Sequence, residues 1–416
     1  MRKYAELKQQ NSLYLLNAIS KMENLFEIYY RLLDGVSQNF VRYLMPELQK
    51  KRRLMGIIGA RGTGKTTMML QYASTLPQNG KTLYVSLEEL YFKRNNLVDL
   101  VDLFVKKGGQ HLLLDEVHRY SGWANEIKII YDRYVSLQVV FTGSSLIELR
   151  KGKADLSRRA VMFNLHGLSF REYIHLTTGL KLEQINLDEL MDDHENLARN
   201  ISRRIKPLAH FEAYVRSGYY PFFLENLSDY DQKLRQVVDL ALTVDLAAAY
   251  DIPYSSIEKI SQLLSVIAIS VPFKPDVTAI AGQIAIDRNT FIKYLGYLED
   301  IDIIKRLYSS ADGMGGMRKP AKIYLNNTNL MWAIGNKDPE KGNLQETFFL
   351  NQLNTVQDVF YPKAGDFLVG KYTYEIGGKT KKRKQVDGIS DAYIVKDDIE
   401  IGSNKTLPLW LFGFLY

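Results

Sequence analysis

The sequence predicts an α/β fold in which a parallel sheet is covered on both faces by helices. Three observations lead there. Short apolar runs at Leu54-Met55-Gly56-Ile57-Ile58, Thr82–Leu87, His111–Glu116 and Gln138–Ser145 have the length and composition of buried strands. Helical patterns, Leu97–Lys107 and Trp123–Tyr134 among them, separate these runs, and strands alternating with helices pair in parallel. Finally, Gly59-Ala60-Arg61-Gly62-Thr63-Gly64-Lys65-Thr66 spells G-x-x-x-x-G-K-T directly after the first run and just before an amphipathic stretch, Thr67–Ala73.

Strand, glycine loop and helix make the context that a triphosphate cradle requires. Loop amides and the helix N-terminus present positive potential to phosphate oxygens. Gly59, Gly62 and Gly64 let the loop turn back without a Cβ clash. Lys65 reaches the β- and γ-phosphates, Thr66 offers a hydroxyl to Mg²⁺, and Thr67 continues the cradle into the helix. Downstream, Asp115-Glu116 ends an apolar strand. Asp115 would complete the Mg²⁺ shell, and Glu116 would polarise the attacking water as general base. Thr142 and Ser144, at the end of the next strand, are placed to sense the γ-phosphate. Arg158 and Arg159 leave two readings open: a guanidinium that neutralises transition-state charge, in a neighbouring subunit's site if the chain is a homo-oligomer, or a solvated basic pair.

The flanking regions read differently. Residues 1–47 carry apolar positions spaced as on a helix, among them Met22, Leu25 and Ile28. From Leu168 to about Tyr250 strand signals fade and helical ones dominate. Helices at Ile257–Ser270, Asp276–Ala285 and Arg288–Leu298, then a hairpin of Ile303–Tyr308 and Ala321–Leu325, form a winged-helix pattern. Its third helix presents Arg288, Asn289, Thr290 and Lys293 to a DNA backbone or base, whereas Glu299, Asp300 and Asp302 at the far end would repel one. The run Lys379-Thr380-Lys381-Lys382-Arg383-Lys384 is a second basic feature, read as a solvated hairpin tip or a DNA contact.

Composition narrows the function classes. With 416 residues, 46% hydrophobic and 24% charged, the chain has material for several folded domains. It has no cysteine, which removes disulfides and thiolate metal sites, and its six histidines show no ligand spacing. No apolar run approaches a membrane span of about 18 residues, and the first residues are charged, so a cytoplasmic protein without a membrane partner is expected. The net charge of +7 permits a nucleic-acid or acidic partner.

Taken together, Gly59–Thr66, Leu112–Glu116, Thr142–Ser145, Leu156–Arg159 and Gly167-Leu168-Ser169-Phe170-Arg171-Glu172-Tyr173 resemble the prokaryotic AAA-type P-loop ATPases, including those described as archaeal-type, that carry a C-terminal domain of unknown function. The resemblance implies ATP as the nucleotide, and no Asn-Lys-x-Asp element is present to read guanine. It implies a finger arginine between the sensor helix and the last strand, where Arg159 lies. Gly218-Tyr219-Tyr220-Pro221 is similar to a glycine–proline turn placed near adenine in related NTPases, and equally to an ordinary helix–helix turn. The family's C-terminal domain resembles the restriction-endonuclease superfamily, whose motif is an Asp followed by Glu-x-Lys. The match here is Asp366 with Glu375-Ile376-Gly377-Gly378-Lys379, with Glu346 as a third acid, but Gly377 stands in the lysine position. Asp387 and Glu400 form a second pair, also without the lysine. The expected organisation is a helical segment at 1–47, a P-loop NTPase core at 48–167, a helical lid at 168–254, a winged-helix domain at 255–328 and a small C-terminal α+β domain at 329–416. The expected activity is Mg²⁺-dependent ATP hydrolysis driving a conformational switch. An ATP-regulated nuclease and a nucleotide-binding scaffold are the alternatives.

Overall fold

The computed structural model describes residues 2–143, 156, 158–310, 319–335, 338–378, 380–381 and 386–416. Ser144, Lys379 and residues 382–384 of the basic run lie outside them. Two compact units divide the chain, Met1–Leu165 and His166–Tyr416.

In the first unit β1 (Leu54–Ile58), β2 (Thr82–Ser86), β3 (His111–Asp115), β4 (Gln138–Gly143) and β5 (Val161–Asn164) form one sheet in the order β2-β3-β4-β1-β5. All of its pairings are parallel. Alternation along the strands sorts side chains to two faces. Leu54, Leu83, Val85, Leu112, Leu114, Val139 and Phe141 pack with α4 (Leu97–Lys106) and α5 (Trp123–Arg133) on one face. Met55, Tyr84, Leu113 and Val140 pack with α3 (Lys65–Ser74) on the other. Sequence dictates α4 closely. Asn96 caps it by accepting from Asp99 N, and Leu97, Leu100, Val101 and Phe104 make its buried stripe. Residues of the N-terminal segment belong to the same cores: Met22 and Leu25 of α1 (Arg2–Asp34) lie on the α4 face, Tyr29 and Leu44 to Leu48 on the α3 face.

The order of the strands positions the chemistry. β4 lies between β1, which feeds the glycine loop, and β3, which ends in the acidic pair. Thr142 is level with Ile57 on one side and next to Asp115 on the other, because Leu114 pairs with Phe141. Ligands in open parallel sheets bind at such carboxyl edges.

The second unit begins with helices at Phe170–Thr178, Leu187–Ser202, Pro207–Ser217 and Tyr230–Leu240. The helices Tyr254–Ser270, Val277–Gln283 and Arg288–Asp300 follow, the last two capped by Asp276 and Asp287, and then the antiparallel pair β6 (Ile304–Leu307) and β7 (Lys322–Leu325). The helix Lys341–Leu353 precedes a mixed sheet ordered β11-β10-β9-β8, comprising β8 (Phe367–Val369), β9 (Tyr372–Gly377), β10 (Ala392–Lys396) and β11 (Thr406–Pro408). Buried polar groups tie these parts together. Asn329 accepts from Tyr219 N and the Tyr230 hydroxyl, and donates to Val215 O. The Gly167–Tyr173 motif finds its physical reason here. Ser169 and Glu172 form a capping box, Ser169 also donates to Tyr416 O at 2.8 Å, and a Cβ at Gly167 would stand 2.3 Å from the Tyr219 ring.

Candidate functional site

The glycine loop leaves β1 through a close backbone approach. Gly59 has φ 155°, and a Cβ there would meet Leu165 O at 2.3 Å. Gly64 has φ 91° and occupies the left-handed N-cap of α3, a conformation side chains resist. Inside the loop Lys65 is almost wholly buried and donates to Gly59 O (2.9 Å) and Ala60 O (2.8 Å). Thr66 and Thr67 are exposed at the mouth. Arg42, to which the sequence reading gave no role, is buried beneath the loop and donates to Thr63 O. Nothing in its spacing marks it; only the fold brings an N-terminal arginine under the phosphate loop.

Asp115, nearly inaccessible, gathers three hydroxyls. Thr66 donates at 2.7 Å and Tyr84 at 2.8 Å to one carboxylate oxygen, and Thr142 donates to the other. Burial, then the charge of Asp115, pushes the Tyr84 hydroxyl up, so it stays a donor. Tyr84 is a second residue that the sequence reading missed. It sits on β2 next to β3, level with Leu113, and no motif includes it. Thr142 was expected to read the γ-phosphate, but its hydroxyl is engaged by Asp115 and also accepts from Glu116 N at 3.2 Å. Glu116 itself adopts the left-handed region (φ 51°, ψ 43°), which costs a non-glycine residue roughly 1–3 kcal/mol. Its carboxylate lies 3.4 Å from His118 Nε2.

Magnesium fits this mouth. The exposed Thr66 hydroxyl and the Asp115 carboxylate are hard oxygen donors already in contact, and Mg²⁺ in phosphate sites takes few protein ligands. Among the described residues no three His, Cys, Asp or Glu side chains converge to hold a metal by themselves.

Other candidates are placed elsewhere or held by partners. Arg159 makes a two-pronged ion pair with Asp132 of α5, Nε to Oδ1 and Nη2 to Oδ2 both at 3.0 Å, and holds that carboxyl below its ordinary range. Any finger role requires it to leave this partner. Arg158 is exposed. Ser144 lies outside the described residues. Gly218 and Pro221 belong to the second unit. Gly218 ends its helix at φ −87°, so the turn itself does not demand glycine. What demands it is crowding: a Cβ would lie 2.6 Å from the Tyr214 ring and 2.7 Å from that of Tyr173. Pro221 opens a short 3-10 turn, Pro221–Leu224.

Among the C-terminal acids, Asp366 lies close enough to Glu346 and Glu375 to feel their charge. Glu346 accepts from Lys322 and from the Tyr324 hydroxyl (2.8 Å). Asp366 accepts from Ile376 N at 2.8 Å, and burial, with Glu346 close by, pushes its carboxyl up to about 6. Glu375 is fully buried on β9 and paired with Lys381 at 2.6 Å. Lys379, expected to supply the cation, lies outside the described residues; among those described, Lys381 reaches Glu375. Gly377 explains how, because a Cβ there would strike the Lys381 stem at 2.7 Å. Asp387 and Glu400 are exposed.

Residues 51–174 match the AAA domain. Residues 208–341 match a domain of unknown function, DUF8612. The chain is 25% identical to the uncharacterized protein MJ1637 of Methanocaldococcus jannaschii, over 97% of this chain and 93% of that protein. Among solved structures it is similar to the Walker-type ATPase PABY2304 of Pyrococcus abyssi (12% identity, 70% of this chain and 93% of that one, TM-score 0.39) and to AMPPCP-bound DnaA from Aquifex aeolicus (16%, 66% and 88%, TM-score 0.25). The AAA match and the parallel sheet around the glycine loop support a P-loop ATPase domain that binds and hydrolyses nucleotide. No helix among the described residues is long and apolar enough to cross a membrane.

Proposed function

We propose that the chain is a Mg²⁺-dependent ATPase whose turnover drives a conformational switch. The observation that carries this reading is the meeting of Thr66, Asp115, Thr142 and Glu116 beside a glycine loop closed on Lys65. Loop amides and the Lys65 ammonium hold the β- and γ-phosphates, with Lys65 exchanging its loop carbonyls for phosphate oxygens. Thr66 and Asp115 would hold Mg²⁺, whose charge would offset that of the phosphates. Glu116 orients a water and takes its proton as that oxygen bonds to the γ-phosphorus and the bond from phosphorus to the β–γ bridging oxygen breaks, releasing ADP and phosphate. Tyr84 and Thr142 hold Asp115 in place by donating to its two oxygens. Exposed Arg288, Asn289 and Lys293 at one helix start favour DNA as the partner to which turnover couples.

The test is phosphate release from Mg-ATP, with and without DNA, by the protein and by Glu116→Gln. Retained ATP binding with turnover lowered on the order of 10²–10⁴-fold is expected of the variant. Absent turnover in the wild type, or equal turnover in both, overturns the reading, and unchanged rates with DNA remove DNA as the partner.

One observation favours a second reading for the C-terminal sheet, metal-dependent nuclease chemistry. Asp366 lies close enough to Glu346 and Glu375 to feel their charge, and Lys381, paired with Glu375, stands in for the lysine that the Gly377 position lacks. Mg²⁺-dependent cleavage of plasmid DNA, lost in Glu375→Ala, is the result this reading requires; intact plasmid ends it.

A further inference from the structure

We infer that His118 is a positioning residue for Glu116, fixing the direction of the carboxylate that activates water. The inference rests on the ATPase reading above and adds a residue to which no motif assigns a part.

Glu116 is the first residue beyond β3, and its left-handed backbone turns the chain sharply into the 3-10 turn Val117–Arg119. That turn returns residue 118 toward residue 116. Val117 between them is wholly buried in the core under α4 and α5, which anchors the turn. The consequence is a carboxylate held at two ends. At the main-chain end, Glu116 N donates to Asp115 Oδ1 (3.1 Å) and to Thr142 Oγ1 (3.2 Å). At the side-chain end, His118 Nε2 stands 3.4 Å from Glu116 Oε2. The His118 side chain is only 3% exposed and that of Glu116 19%, so the imidazole lies on the inner side of the carboxylate.

This asymmetry suits a base that must keep one oxygen turned to an incoming water. A glutamate has three side-chain torsions, and a swing of about 1 Å can cost roughly 10²-fold in rate. The imidazole, in contact with one oxygen from behind, bars the carboxylate from swinging inward. A buried ring cannot itself reach a nucleotide at the mouth, so its effect falls on the chemical step and not on binding. Lys65, the loop amides and Thr66 keep the affinity.

The experiment measures kcat and KM for Mg-ATP, nucleotide affinity and melting temperature in wild type, His118→Ala and His118→Gln. In His118→Ala, kcat should drop about ten- to a hundredfold with KM and affinity within about twofold. His118→Gln, whose amide N–H reaches as far as Nε2, should recover most of the loss. In a Glu116→Gln background His118→Ala should change residual turnover by less than about twofold, because the partner through which it acts is gone. Raised KM without recovery by glutamine, an additive loss in the Glu116→Gln background, or faster turnover in His118→Ala each overturns the assignment while the ATPase reading stands. If His118→Ala does not fold, the glutamine variant decides: wild-type KM with a kcat within about fivefold supports the assignment, and a kcat lost with KM raised overturns it. Wild type that releases no phosphate overturns both.

Discussion

The phosphate loop of the first unit and the acidic cluster of the second are built from the same residue types, lysine, carboxylates and glycine, yet they differ in how the chain assembles them. In the first, eight consecutive residues make the cradle, and main-chain atoms do much of the holding. In the second, Lys322, Glu346, Asp366, Glu375 and Lys381 come from separate elements, and side chains do nearly all of it. Backbone sites are local in sequence, because a loop's shape is set by a few adjacent φ angles. Side-chain sites need only that some residue reach the spot, so their spacing can drift.

The comparison breaks most readily at Lys65. If the loop is a triphosphate cradle, Lys65→Ala should lower turnover by on the order of 10²–10³-fold, the usual cost of deleting one charge-stabilising donor. Calorimetry with Mg-ATP should show weakened association at unchanged melting temperature. A variant that binds and turns over ATP like wild type removes the functional contrast between the two regions.

The same difference explains what was legible in the sequence. Gly59–Thr66 and Asp115-Glu116 were readable because motif and context are contiguous, and the four apolar runs 54–58, 82–87, 111–116 and 138–145 overlie β1 to β4. Unreadable were the strand order, which sets β4 between loop and acids, and the partners it recruits: Tyr84 from β2, Arg42 from beneath the loop, and the bond from Thr142 to Asp115. Arg159 was marked by position between two elements, but its pairing with Asp132 depends on where α5 packs. Lys381 was hidden for another reason. The chain after β9 brings the residue four beyond Gly377 back over the glycine, a return that spacing along a strand does not foresee.

A smaller effect sharpens the contrast at Lys381. Glu375 has no access to solvent, and removing its cation would weaken the neutralisation of a buried charge, where breaking a buried pair costs about 3–5 kcal/mol. Lys381 keeps some exposure, so Lys381→Ala should fall at the low end, about 3 kcal/mol, read as a shift of the urea midpoint at neutral pH. The double variant Glu375→Gln, Lys381→Ala should regain much of that loss. If the single variant is as stable as wild type, the pair is not what neutralises Glu375.

Asp366 gives the smallest shift, and pH decides its sign. Its carboxyl sits at about 6 in the fold, raised by burial and by Glu346, against about 3.9 in an unfolded chain. Between those values the folded state holds a proton that the unfolded state has released, so stability falls as pH rises through the interval. Above about pH 6 the deficit is complete, up to about 2–3 kcal/mol for a shift of this size. Below about pH 4 both states are protonated and no deficit remains. Asp366→Asn keeps an oxygen to accept from Ile376 N but cannot ionise. It should therefore raise the urea midpoint at pH 8 and leave it near wild type at pH 4. Equal effects at both pH values would mean that Asp366 is charged in the fold at little cost, and that the second region, like the first, already balances its carboxylates.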